Sequence, residues 1–129
     1  MEKKSTIFCD IDGTIFKYRK FENYKEEKCQ VLPGVLSKLN KWKNGGHMII
    51  LTTARPEDLR DHTVEELKTS DIPYDKLIMG IERGSRILIN DKDPKFNLPR
   101  AVGINLERDK GMIFDTVSYT HLRAHETLS

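Results

Sequence analysis

Ile7, Phe8 and Cys9 form the first apolar run of the chain. It stops at Asp10, and Gly13 follows where an extended segment has to break into a turn. The pattern predicts a short buried strand over Ser5 to Cys9. From Phe16 to Gln30 the apolar period disappears: Lys17, Tyr18, Arg19, Lys20, Phe21, Tyr24 and Lys25 mix charge and aromatic surface without a repeat, so the stretch reads as a mobile flap. Pro33 opens a helix with Val35, Leu36, Leu39 and Trp42 on one face, and Asn44-Gly45-Gly46 closes it. Met48 to Leu51 is a second apolar strand. Thr52-Thr53-Ala54-Arg55 leads from it into a helix with Pro56, Glu57 and Asp58 in its first turn, where acidic residues suit the helix dipole. Three more strands are expected at Leu77 to Met79, Ile87 to Ile89 and Ala101 to Leu106.

Strands alternating with helices imply an α/β fold around a parallel sheet of about five strands. Right-handed crossovers gather the loops after the strands along the carboxyl edge, where ligands bind in open sheets. Asp10, Thr53 and Asp91 all fall at such strand ends.

A chain of 129 residues is the size of one domain, and its 37% hydrophobic and 33% charged content suits a soluble enzyme. No apolar run is long enough to cross a bilayer, and the start lacks the long apolar stretch of a secretory signal, so the expected location is cytoplasmic. Cys9 and Cys29 have no metal-ligand spacing and read as free thiols. A net charge of +2 does not by itself imply nucleic acid.

Val117 to Thr127 reads VSYTHLRAHET, which resembles the in-frame translation of a sequencing adapter. It carries no turn signal and no apolar period, and the division expected is a domain over 1–115, cut short at its end, with a non-native tail over 116–129. His121 and His125 stand at a helical i, i+4 spacing, but a chance pair is the favoured reading.

Candidate chemistry begins at Ile7-Phe8-Cys9-Asp10-Ile11-Asp12-Gly13-Thr14. Two carboxylates two residues apart on an extended segment can meet one substrate and take different tasks, one as nucleophile and one as acid and base. A pair of solvated turn aspartates is the alternative, since Asp-Gly is a common turn pair. The segment resembles the first signature of the haloacid dehalogenase superfamily, an apolar strand followed by Asp-x-Asp-x-Thr. Ile49-Ile50-Leu51-Thr52-Thr53 resembles the second signature, and the following Ala54-Arg55-Pro56 favours Thr53 over Thr52 as the residue that bonds the phosphoryl group. Ile87-Leu88-Ile89-Asn90-Asp91-Lys92-Asp93 resembles the fourth signature, in which Asp91 is the metal carboxylate; Asp93 before Pro94 reads as a turn residue. The third signature, a Lys or Arg near the phosphoryl group, is the weak one: Arg83 fits best by position and Lys92 next.

The resemblance covers Ser5 to Leu106 and implies a three-layer, Rossmann-like fold. The gaps after the first two signatures are too short for an inserted cap domain. It implies a phosphomonoester hydrolase working through a phospho-aspartate on Asp10. Asp12 would be acid and base, with its negative neighbours favouring a proton on it. Mg2+ would be held by Asp10, the main-chain carbonyl of Asp12, and Asp91. Oxygen-only ligands with open positions suit that ion. The expected partner is a small phosphorylated substrate such as a sugar phosphate. A site without its own lid accepts bulky substrates or borrows a neighbouring subunit in a homo-oligomer. Two other readings stay open. Lys17, Tyr18, Arg19, Lys20 and Phe21 combine phosphate contacts with stacking surface, as a nucleic-acid end or nucleotide phosphatase would use, although a solvated flap is the favoured account and no membrane partner is expected. A catalytically silent phosphate- or metal-binding module would explain the poor third signature and Asn90.

Overall fold

Residues 4–114 are described by a computed structural model. Its sheet is built from β1 (Thr6–Asp10), β2 (Met48–Thr52) and β3 (Lys76–Ile78), all parallel, in the order β1-β2-β3. The register pairs Phe8 with Ile50 and Asp10 with Thr52, and β3 continues it by pairing Thr52 with Ile78. Alternation then sorts the side chains: Cys9, Ile49 and Leu51 point to a buried face, each of the last two contributing about 1.5–3 kcal/mol by burial. Phe8, Met48 and Ile78 lie on the opposite face and are exposed.

Two helices follow the strands, α1 (Val35–Asn44) and α2 (Arg60–Thr69). Right-handed crossovers carry both to one side of the sheet, where Val35, Leu39 and Leu67 are buried. Gly46, at φ +86°, makes the left-handed turn that releases α1 into β2. Pro56 precedes a 3-10 turn at Glu57–Leu59, and α2 begins directly after it.

The α/β class and the parallel sheet are as the pattern implied. Among the described residues the sheet has three of the strands expected. Residues 87–89 and 101–106 adopt no strand; Ile87 and Ile89 are 82% and 88% exposed. Apolar, β-branched residues favour extended backbone, but a strand exists only where a neighbour accepts its alternate N–H and C=O groups. No described backbone pairs with either segment.

The described residues divide into two compact units, 4–83 with 106–113, and 84–105 with 114. In the second unit, Asp93 bridges to Leu98, and its carboxylate accepts the Lys95 amide at 2.8 Å, the Asx turn expected ahead of Pro94. The adapter-like segment and the His121/His125 pair lie outside the described residues. No helix among the described residues is long and apolar enough to cross a membrane.

Within the first unit, residues 17–30 form an excursion closed by a Phe16–Val31 bridge, with Lys17 N–H donating to the Gln30 carbonyl at 2.9 Å. The stretch read as a mobile flap is folded inward: Arg19 and Tyr24 are both buried, and a 3-10 turn at Phe21–Asn23 joins them. Sequence pattern could not show this, because the residue that draws Arg19 in lies on α2.

Candidate active site

β1 ends at Asp10, and the chain turns at once. The Ile11 carbonyl accepts the amides of Thr14, Ile15 and Phe16, and Gly13, at φ +88°, returns its own N–H to Phe16. A side-chain-bearing residue is strained at that φ, so the turn requires the glycine. The turn brings the Thr14 hydroxyl back to donate to Asp10 Oδ2 at 3.4 Å. Asp10 and Asp12 line one open pocket of about 180 Å3 together with Gly13, Thr14, Leu106 and Arg108. A larger hollow of about 430 Å3 between the flap and α2 contains neither aspartate.

Asp12 is gripped from behind. Arg55 donates through Nε to Asp12 Oδ2 at 2.9 Å and through Nη2 to Oδ1 at 2.7 Å, a two-pronged pair. The Tyr24 hydroxyl donates to the same Oδ2 at 3.2 Å. A proton on Asp12 was expected from negative neighbours; the groups on its carboxylate are instead a cation and a phenol, all donating. The loop after β2 supplies the cation that meets Asp12.

Arg55 is placed by that loop. Thr53 Oγ1 accepts the Arg55 amide at 3.1 Å, Thr53 N–H donates to the Ile78 carbonyl, and the Arg55 carbonyl accepts the Gly80 amide at 2.8 Å. The third prong of the guanidinium, Nη1, reaches Glu66 Oε1 at 2.8 Å and Thr63 Oγ1 at 3.0 Å. Glu66 in turn accepts Arg19 at 2.7 Å and 3.0 Å. The result is a buried line of alternating charge, Asp12, Arg55, Glu66, Arg19, with side-chain exposures of 11%, 0%, 9% and 3%. Tyr24 lies against it, its ring centre 4.3 Å from the Arg55 guanidinium and 5.3 Å from that of Arg19.

The electrostatics follow from this line. Burial alone would lower Arg55, but its hydrogen bonds to Asp12 and Glu66 outweigh it and the guanidinium is held charged. Burial would raise Glu66, and Arg19 and Arg55 more than reverse that, so its carboxyl sits below the usual range. Burial, followed by the charge of Asp12, pushes the Tyr24 phenol up to about 12, which keeps its O–H as a donor.

Of the residues marked in the sequence, Asp10 and Asp12 share the pocket, and Thr52 stands opposite Asp10 in the ladder. Thr53 is buried, its hydroxyl oxygen engaged by Arg55. Arg83 is exposed, and its charge acts on the Tyr24 phenol against that of Asp12. Asp91 and Lys92 belong to the second unit, where Asp91 lies 3.6 Å from Arg100. Among the described residues no group of three or more His, Cys, Asp and Glu could hold a metal ion. What the first unit offers a cation is the Asp10 carboxylate and the Asp12 main-chain carbonyl. Both are hard oxygen donors of the kind Mg2+ uses with water and phosphate.

Arg55, Tyr24, Glu66 and Arg108 were not read as site residues, and Arg19 was read only as part of a basic cluster on the flap. One signal was available: Thr63, Glu66 and Leu67 are the buried positions of α2, which puts an acid on its inward stripe. An acid there needs a cation partner.

The fold and the site together define an α/β protein with an acidic pocket at the carboxyl end of its first strand. Residues 7–97 match the haloacid dehalogenase-like hydrolases, and the chain belongs to that family. Among solved structures it is similar to a structural-genomics target from Vibrio cholerae, at 18% identity and a TM-score of 0.58 over 95% of this chain and 98% of that one. It is also similar to a chain of the Pnkp1/Rnl/Hen1 complex, at 25% identity and a TM-score of 0.53 over 59% of this chain. The similarity spans 27% of that chain. Among curated proteins no sequence match reaches significance.

Proposed function

We propose that this hydrolase cleaves small phosphomonoesters, with Asp10 as nucleophile and Asp12 as the group through which the proton passes. The observation that carries the reading is the shared pocket of Asp10 and Asp12, in which Asp12 is oriented by the buried Arg55. The pocket is open to solvent and of a size to admit a phosphoryl group, and a sugar phosphate is the substrate class we favour. The inward position of Arg19 removes one cation from the cluster that suggested a nucleic-acid end.

Asp10 attacks phosphorus, the bond from phosphorus to the alcohol oxygen breaks, and that oxygen receives a proton drawn from the open pocket and relayed by the Asp12 carboxyl. Water then attacks the phospho-aspartate, Asp12 takes up the water's proton, and inorganic phosphate leaves with Asp10 restored. Arg55 and the Tyr24 hydroxyl hold the Asp12 carboxyl in one orientation through both proton transfers. Thr14 does the same for Asp10. Mg2+, held by the Asp10 carboxylate and the Asp12 carbonyl, would supply positive charge that offsets the repulsion between a carboxylate and a phosphate dianion.

The test is hydrolysis of an aryl phosphate with Mg2+ and with a chelator. Turnover should require the ion, fall to background in Asp10→Asn, and fall by about 10²- to 10⁴-fold in Asp12→Asn. Turnover retained in Asp10→Asn would exclude the covalent route. No turnover in the wild type on a panel of sugar phosphates and aryl phosphates would favour a silent binding module.

A further inference from the structure

Two carboxylates facing one pocket repel the dianion that the pocket is proposed to admit, so a cation has to reach the phosphoryl oxygens. Arg55 is already divided between Asp12 and Glu66. Arg108 is placed differently. It lines the pocket with Asp10 and Asp12, is exposed, and has no carboxylate partner among the described residues. Its guanidinium carbon lies 4.2 Å from the centre of the Tyr18 ring, a cation–π contact that steadies the group.

The backbone beneath Arg108 is fixed just as firmly. Asp109, at φ +65°, donates its amide to the Gly13 carbonyl at 2.9 Å, and its carboxylate accepts the Tyr18 amide at 2.7 Å. Met112 N–H donates to the Pro33 carbonyl at 2.8 Å, and a methyl group on either Gly34 or Gly111 would collide with backbone of the opposing segment. Gly13 itself admits Arg108: a Cβ there would stand 3.1 Å from Arg108 Cγ. The segment after the second unit therefore returns to the turn that follows β1 and delivers one guanidinium beside the two aspartates.

We propose that Arg108, steadied by its contact with Tyr18, binds the non-bridging oxygens of the phosphoryl group in the Asp10–Asp12 pocket. This rests on the phosphomonoesterase reading, and it replaces Arg83 and Lys92 in the role sought for the third signature. A planar fork of donors matches the tetrahedral face of a phosphate better than a lysine would.

Inorganic phosphate binding, measured by titration calorimetry in the presence of Mg2+, tests the assignment independently of turnover. Arg108→Ala should weaken phosphate binding by about 10- to 100-fold with unchanged thermal stability, the effect of losing charge-assisted hydrogen bonds. Arg108→Lys should recover part of the loss, Tyr18→Ala should show a smaller loss, and KM for an aryl phosphate should rise in parallel with the phosphate Kd. Binding by Arg108→Ala within twofold of the wild type would overturn the proposal, as would a loss carried by Arg83→Ala instead, or a wild type that binds no phosphate. A wild type that binds phosphate through Arg108 yet turns over no ester would sink the phosphomonoesterase reading and leave the Arg108 assignment standing.

Discussion

Arg55 serves two carboxylates with one guanidinium, and no other residue type has the geometry to do so: three of its nitrogens donate in fixed directions, to Asp12, Glu66 and Thr63. The arrangement links the stability of the fold to the orientation of Asp12. Removing the cation leaves Asp12 without a charge partner and Glu66 to Arg19 alone, so Arg55→Ala should lower unfolding stability by about 3–5 kcal/mol in urea denaturation. Arg55→Lys should also fail to restore activity, because an ammonium cannot bridge both acids in plane. A lysine variant with wild-type turnover would show that charge alone positions Asp12.

The flap over residues 17–30 is held by polar contacts to α2 as well as by the packing of Tyr24 against Leu59 and Met79. Arg19 ties Glu66 on α2 to the carbonyls of Tyr24 and Glu27, at 3.2 Å and 2.7 Å, and His62 reaches the same Tyr24 carbonyl at 2.9 Å. Glu66 titrates below its ordinary 4.5, so the stability it contributes is complete above that value and is lost as pH falls through the lower, folded one. Acid should therefore loosen the flap before it unfolds the sheet. Hydrogen exchange at neutral pH on Glu66→Gln is expected to show faster amide exchange across 17–30 with β1 and β2 still protected. Uniform deprotection of all three would mean that the latch and the core open together.

On the scale of the molecule, the groups with raised pKa set an alkaline limit. Tyr24 is pushed from 10.0 to about 12, and Cys9 from 9.0 to about 12, each chiefly by burial and then by a neighbouring aspartate. In both cases the folded state keeps a proton that the unfolded chain releases at its ordinary pKa. Stability is thus fully present below those ordinary values and lost as pH climbs toward 12. Denaturation midpoints followed over that range should decline, and Tyr24→Phe should remove part of the decline between pH 10 and 12. An unchanged slope in that variant would show that Tyr24 does not contribute to the loss.

Asp10, Asp12 and Thr14, the threonines at the end of β2, and the parallel α/β class were all legible in the sequence. Strand period, turn glycine and residue spacing are local, and local geometry places a carboxylate at a strand end whatever the rest of the chain does. The partners of those residues were not legible. Arg55 and Glu66 stand 43 and 54 positions beyond Asp12, Arg19 looked like one more solvated charge in a flap, and Arg108 lies past a whole second unit. Ion pairing and stacking act through space, so sequence separation carries no trace of them until the chain has folded. The strands expected at 87–89 and 101–106 failed for the same reason, since an apolar run supplies the propensity but only a neighbouring backbone can supply the ladder. The strand-end positions of Asp10 and Asp12 follow from local sequence, whereas the orientation of Asp12, the latching of the flap and the placing of Arg108 at the pocket were decided by tertiary contacts alone.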